Sequence, residues 1–591
     1  MTERATAPDT LAAPPEFPSP TILDSRRLLG PNLHSTRTGA VLEVRYAEVR
    51  AKLLIDAWSV QVGHFVHALP WPDAELHVRR GSGGAALFLS APVDVLMTAT
   101  VLNEQAWVAA ESPLPRRPDE DLVGWLRAAA DRERLARPNL SDVYGEAVRR
   151  GFNVTFDDEM LSVGSGVGAL SWALDQIPAL YDIPWADVYD VPIALVTGSN
   201  GKTTTVRLVG AMWSTAGKSP GWSCSDGVWV NNEPIEQGDY AGPAGARAVL
   251  RNPDVEAAVL ETARGGILRR GLAVTRADAA IITNISADHF GEYGVDTLRH
   301  LTEAKGAVAR VMTAHGQLVL NADDAQLGDL ALEVKVPCSW FSIAPVHPEL
   351  DAHVSMGGDA AIVNDGSVML RHHQAWYDLG AVNDMPITLY GAALHNIANI
   401  LGASLVAAAM GVPIDAIRDT LSTFGASPLD NPGRLQVYRF GEVTLLVDYA
   451  HNPDGLAALC ETASSFLAKR QLLLLGQAGN RDDEQLRELA RAAWNAMHFD
   501  RVIIKEMPSM LRGRSGGVVS RVLMDELLEL GAPRERMDVI EGELTAIRRA
   551  FAWARDGDLL VCPVHVEKEA VLAWLGRLSE VNWRPGSLLP G

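Results

Sequence analysis

The run Thr197-Gly198-Ser199-Asn200-Gly201-Lys202-Thr203-Thr204-Thr205 constrains this chain more than any other stretch. It follows the apolar segment Ile193-Ala194-Leu195-Val196 and precedes a helix-like sequence, so a buried strand must turn into a helix around a glycine-rich loop. Such a loop aims backbone N–H groups at an anion. Its lysine reaches the outer phosphates, its first threonine hydroxyl can ligate Mg²⁺, and the helix N-terminus adds positive partial charge. Gly198, Asn200, Gly201, Lys202, Thr203 and Thr204 are therefore candidate ATP-binding residues. Val196 stands where the general pattern G-x-x-x-x-G-K-[ST] has its first glycine, and a purely structural glycine turn is the alternative.

The 591 residues suffice for three or four domains. Residues 1–24 are Pro/Ala-rich and read as a disordered tail. Residues 25–187 mix strand-like GAVLEVRY and AALFLSA with helical DEDLVGWLRAAADRERLA, an α+β pattern. Residues 188–428 alternate apolar strands (VEAAVLET, DAAIITNI, QLVLNADD) with amphipathic helices, which predicts an α/β domain on a parallel sheet. Residues 429–591 repeat the alternation with TLLVDYA, QLLLLG, RVIIKE and DLLVCPV, a Rossmann-like α/β domain without the dinucleotide fingerprint. A net charge of −21 argues against nucleic-acid and anionic-membrane partners. Cys224, Cys338, Cys460 and Cys562 form no C-x-x-C pair and read as reduced core residues of a cytoplasmic protein. No signal-peptide pattern and no membrane-length apolar run occurs in the sequence.

In α/β sheets ligands gather outside the carboxyl ends of strands, where Glu261, Asn284, Asp288 and His289 fall. Magnesium prefers oxygen ligands, which suits Glu261 and Thr203. His289 suits it less by that reasoning and also reads as a hydrogen-bonded structural histidine.

The loop T-G-x-N-G-K-T-T resembles that of the Mur ligase superfamily, ATP-dependent enzymes that join a carboxylate to an amine. The stretch containing Glu261-Thr262-Ala263-Arg264-Gly265-Gly266-Ile267-Leu268, then N-x-x-x-D-H at 284–289 and a downstream lysine, is similar to the Mur-like half of cyanophycin synthetases. That resemblance implies Mg²⁺ ligation by Glu261 and His289. It places Lys305 at the family's carbamylated lysine, where CO₂ turns a cation into an anionic oxygen ligand; a solvated helix lysine is the other reading. His395-Asn396-Ile397-Ala398-Asn399 resembles H-N-x-x-N; Asn396 and Asn399 lie at i and i+3 on one helix face, and an amide there could read the adenine edge. Gly433-Arg434 and Asp448-Tyr449-Ala450-His451-Asn452-Pro453 resemble the G-R and D-Y-A-H-N-P motifs of the family's C-terminal domain. Arg434 can pair with phosphate, and Asp448 can accept from ribose hydroxyls or orient His451.

The implied reaction is carboxylate activation: the γ-phosphoryl group passes to a substrate carboxylate, an amine attacks the acyl phosphate, and ADP and phosphate leave. Lys202, Glu261, His289 and Lys305 are the catalytic candidates, with Thr203, Glu261, His289 and Lys305 around the metal. Arg264 and Arg269 could hold a carboxylate-rich acceptor and Asp226 a cationic amino acid, although all three also read as surface charges. The segment Ser25 to Ser35 resembles the R-G-P-N-x-W-S opening of cyanophycin synthetases, with Leu29 in place of Arg and His34 in place of Trp. Their ATP-grasp domain has no counterpart of adequate length here, which implies one kind of addition, alone or with a partner ligase or as a homo-oligomer. A folylpolyglutamate- or peptidoglycan-type ligase and a non-catalytic ATP-binding scaffold are the competing readings.

Overall fold

The computed structural model describes residues 21–69, 71, 73–81, 83–111, 120–287 and 290–590. Most of the expected tail and the expected ligand His289 lie outside the described residues. Residues 21–24 are not tail: the strand Thr21–Leu28 pairs antiparallel with Gly39–Arg45, Thr21 opposite Arg45. The partner strand is buried along nearly its whole length, so its edge recruits backbone pairing from residues whose own composition is unremarkable.

The N-terminal sheet runs Thr21–Leu28, Gly39–Arg45, Gly84–Ser90, Leu76–Gly81, all antiparallel. Helix Leu96–Ala110 lies on it and carries helix Ala51–Ala68. The fully buried Trp58 and Trp107 fill that layer, and Trp58 Nε1 donates to Asn103 Oδ1 at 2.8 Å. This is the expected α+β architecture. Val188 still packs in the N-terminal core, whereas Val191 belongs to the next.

The central sheet has seven parallel strands, in order Pro220–Cys224, Ala257–Glu261, Ile193–Thr197, Ala277–Ile282, Met312–Asn321, Cys338–Ser342 and Ala360–Asn364. Both faces are covered, which is why the strands read as continuous apolar runs. Ala194 and Val196 face helices Lys202–Thr215 and Leu394–Ala409, whereas Ile193 and Leu195 face Pro243–Leu250 and Arg264–Arg270. The sequence reading missed the antiparallel hairpins at each edge, Gly227–Val230/Glu233–Gln237 and Ser367–His372/Ala375–Ala381. They turn on Asn231-Asn232 and His373-Gln374, all at positive φ, a hairpin signal other than Asn-Gly.

The C-terminal sheet runs Gln436–Phe440, Val443–Asp448, Asp558–Pro563, Arg470–Leu475, Arg501–Glu506, Met537–Glu541, parallel except for the first strand. Cys224, Cys460 and Cys562 are buried and all four thiols are unbridged. No helix among the described residues is long and apolar enough to cross a membrane.

Candidate active site

Strand Ile193–Thr197 delivers the chain to Gly198 (φ +143°), and Gly201 (φ +83°) opens helix Lys202–Thr215. At both positions a side chain is excluded by contact as well as by backbone. A Cβ at Gly198 would strike Thr283 Oγ1, and one at Gly201 would strike Asn399 Oδ1. The neighbouring strand's end holds the loop like an extra ladder. Asn284 accepts from Ser199 N through its carbonyl (2.9 Å) and from Asn200 N through Oδ1 (2.9 Å), and its Nδ2 donates to Asn200 O at 3.2 Å. Lys202 folds back to donate to Ser199 O at 2.9 Å. The loop is therefore fixed while the walls around it form a cavity of about 650 Å³.

Glu261 ends its strand beside the helix N-terminus and is 3% exposed. Thr203 Oγ1 donates to its Oε2 at 2.8 Å, Ser225 Oγ lies 3.0 Å from Thr203 Oγ1, and Ser225 N approaches the same carboxylate oxygen at 3.4 Å. Burial pushes the Glu261 carboxyl up, and the Lys202 and Arg434 charges only partly oppose it. A buried carboxylate flanked by two hydroxyls is an oxygen-only donor set short of positive charge. That fits Mg²⁺, which takes one or two protein oxygens and completes its shell with phosphate and water.

Lys305, near the end of helix Leu298–Gly306, is 3% exposed and donates to Ser199 Oγ at 3.0 Å. Thr204 Oγ1 accepts from Asn431 Nδ2 at 3.1 Å. Asn396 lines the cavity, but its Nδ2 donates to Ile387 O (3.0 Å) and its Oδ1 accepts from Asn399 (3.1 Å). It thus braces Asn399 against Gly201, and an adenine contact is left only its second donor and lone pair.

The C-terminal domain closes the cavity. Arg434 reaches Ser225 Oγ (3.0 Å) and Thr203 Oγ1 (3.4 Å) and lies 4.3 Å above the Tyr449 ring. Asp448 shapes its own turn: Oδ2 accepts from Leu435 N and Oδ1 from Ala450 N, both at 2.7 Å. His451 Nδ1 lies 3.1 Å from Tyr449 O, with the ring on the cavity wall. Asn452 exchanges two hydrogen bonds with Asn200 (2.9 and 3.2 Å) and caps helix Pro453–Ser464 through Gly455 N.

A second cavity of about 980 Å³ meets the first at Lys202, Asp239, Ala241 and Ala263. Arg264 and Arg269 line it, Arg264 paired with Glu292 at 2.6 Å and Arg269 exposed. Asp226 lines neither cavity. Burial alone would raise its carboxyl, but Arg434, Lys568 and Arg207 hold it below the usual range, and it pairs with Lys568 across the domain contact. A cationic substrate would have to displace that lysine, which corrects the expectation for this residue.

Sequence reasoning left Asn452 and Ser225 out of the site, and it placed Asn284 and Asn399 near the ligand without their role of bracing the loop. Asn452 stands inside a motif whose other letters were used. Ser225 has no local signal, because strand pairing alone brings it to Glu261.

Residues 196–407 match the Mur ligase middle domain and residues 433–563 the glutamate ligase domain of Mur ligases. The cyanophycin synthetase of Synechocystis sp. is 37% identical over 379 residues, 64% of this chain and 43% of that protein. That of Crocosphaera subtropica is 39% identical over 371 residues, covering 63% and 42%. The UDP-N-acetylmuramoyl-L-alanyl-D-glutamate–2,6-diaminopimelate ligase of Chlorobaculum tepidum is 26% identical over 444 residues, covering 67% and 79%. The chain thus spans less than half the length of the cyanophycin synthetases it matches. Through its central and C-terminal domains, it belongs to the Mur ligase family.

Proposed function

We propose that this chain is an ATP- and Mg²⁺-dependent, ADP-forming ligase. It couples an acceptor carboxylate to an amino acid or amine, in the manner of the Mur-like half of cyanophycin synthetase. The observation that carries the reading is that the two cavities share Lys202. A triphosphate lying along Gly198–Thr204 ends where the cation-lined cavity begins, so γ-phosphate and acceptor carboxylate meet at one ammonium.

Thr203 and Glu261 would hold the metal, with His289 and a carbamylated Lys305 as further ligands; the metal would offset charge on the transferring phosphoryl group. Lys202 does the same from the loop, and Arg434 brings a second cation once the C-terminal domain is docked. Asn200, Asn452 and Asn284 hold the loop so that positioning precedes chemistry. Arg269 orients the acceptor, and Arg264 would join it only by exchanging its Glu292 partner for the acceptor carboxylate. No protein nucleophile is needed: the carboxylate oxygen attacks phosphorus, ADP leaves, and the amine expels phosphate from the acyl phosphate.

The test is interception. Hydroxylamine offered in place of the amine, with carboxylates screened in turn, gives an ATP-dependent hydroxamate together with ADP. AMP and pyrophosphate would mean adenylation and refute the acyl-phosphate route.

A further inference from the structure

Behind the nucleotide cavity the C-terminal domain buries an ion pair. Lys505, at the end of strand Arg501–Glu506, and Glu543, at the start of helix Glu543–Trp553, have side chains that are 0% exposed and in direct contact. Gly476 makes the room, since a Cβ there would collide with the Lys505 side chain. An apolar pair of similar volume serves stability at least as well in most buried settings, so the directions in which this pair's hydrogen bonds point matter more than its presence.

They point one way. Glu543 Oε1 accepts from His565 N (2.8 Å), and its Oε2 accepts from Val566 N (2.9 Å) and Glu567 N (2.8 Å). Lys505 Nζ donates to Pro563 O at 2.6 Å and lies 3.2 Å from His565 Nδ1. With Nδ1 facing an ammonium, His565 is the Nε2–H tautomer, and Nε2 donates to Ala450 O at 2.8 Å. Ala450 sits in the Asp448–Asn452 turn, whose Tyr449 lies under Arg434 and whose Asn452 holds Asn200. The residue after Glu567 is Lys568, the partner of Asp226 in the central domain. One buried carboxylate therefore anchors the roots of two separate contacts that reach across to the nucleotide site.

We propose that Lys505, Glu543 and His565 are positioning residues that fix the Asp448–Asn452 turn and Lys568 for docking onto the phosphate loop, so that they set nucleotide affinity without touching the nucleotide. This rests on the nucleotide site proposed above. None of the three was singled out by a motif, because their roles arise where three strand ends meet.

The experiment measures binding of a fluorescent ADP with Mg²⁺ to the whole chain, which requires no knowledge of the acceptor. His565→Phe keeps the volume and removes the donor to Ala450; His565→Gln offers an amide donor in its place. Expected are at least a tenfold rise in Kd for His565→Phe at a temperature well below its unfolding midpoint, and recovery to within about threefold for His565→Gln. Lys568→Met alone weakens binding severalfold, but in a Glu543→Gln background it adds less than twofold, since that contact is already lost. Wild-type Kd in folded His565→Phe, or fully additive effects of Glu543→Gln and Lys568→Met, would overturn the proposal. Should Glu543→Gln fail to fold, the His565 pair decides alone. Failure of the wild type itself to bind the probe would instead overturn the nucleotide site, and this proposal with it.

Discussion

Asn200 and Asn452 allow the docking of the C-terminal domain to be weighed. The two amides exchange hydrogen bonds of 2.9 and 3.2 Å across the domain boundary, and Asn452 Oδ1 also caps helix Pro453–Ser464 through Gly455 N at 2.8 Å. Asn452→Ala removes all three contacts: about 1 kcal/mol for each interdomain bond and about 1 kcal/mol for the cap. Asn452→Ser separates these effects, because serine caps as well as asparagine but is too short to reach Asn200. It should lose about 1–2 kcal/mol of docking energy, a factor of about 5–30, with the C-terminal domain's own stability kept. Nucleotide bound between the domains reports that loss directly. Titration with fluorescent ADP should show Kd rising by that factor in Asn452→Ser and equally in Asn200→Ser. The double variant should be no weaker than either single one, because both changes break the same contact. Independent, multiplicative effects would mean that each asparagine acts on the nucleotide separately. Wild-type affinity in both would mean that docking does not contribute to binding, and the closed cavity would lose its energetic rationale.

Lys202→Ala should lower ADP release by about 100–1000-fold with the fold intact, as loss of one preorganised charge at a transferring phosphoryl group does; near-normal turnover in the purified variant removes the loop from the chemistry. Burial raises the Glu261 carboxyl in the fold, so protonation favours the nucleotide-free fold and that favour is lost as pH rises through the raised value. Nucleotide-free Glu261→Gln should therefore be at least as heat-stable as wild type at neutral pH, the gap closing in acid, and Mg·ADP should raise the midpoint of wild type only. A variant less stable than wild type at neutral pH contradicts the burial argument. Lys305→Ala, or stripping CO₂ and bicarbonate from the wild type, should cost about 10–100-fold in activity; full activity of Lys305→Ala excludes a carbamate role.

The phosphate loop was legible because its glycines are demanded by local geometry: Gly198 and Gly201 have φ values that side chains avoid and neighbours that leave no room for one. The parallel strands were legible because burial on both faces writes an unbroken apolar run. The edge strands Gln436–Phe440 and Met537–Glu541 were not, since each carries mixed polarity and gains its identity from a partner distant in sequence. Residue types predicted candidate chemistry better than they predicted partners. Asp448 has the right chemistry for a ribose contact, yet two backbone N–H groups already take one lone pair of each of its oxygens. Asp226 has the right charge for a cationic substrate, yet Lys568, 342 positions away, supplies the cation. Only the second depends on how two domains dock; the first is set inside the C-terminal domain, by the turn after Asp448 and by Leu435 N brought to it through strand pairing.

The same docking bears on the acceptor. The chain carries a net charge of −21, but the second cavity gathers arginines. Several are already committed: Arg26 pairs with Glu43 at 2.9 Å, Arg247 with Asp157 at 3.1 Å and Arg264 with Glu292 at 2.6 Å. Arg269, Arg270 and Arg512 have no carboxylate partner among the described residues. Two of them stand on helix Arg264–Arg270 and the third comes from the C-terminal domain. The N-terminal domain fixes the helix from behind, with Leu29 N donating to Arg270 O at 2.8 Å and Arg26 Nε to Leu268 O at 2.9 Å. An anionic acceptor bridging these guanidinium groups touches a helix held by one domain and an arginine delivered by another. Its binding and the closure of the nucleotide cavity then favour the same arrangement, and by linkage each strengthens the other. The net charge of −21 sharpens this, because a carboxylate is repelled on average by the rest of the chain and is drawn to arginines that no carboxylate has neutralised.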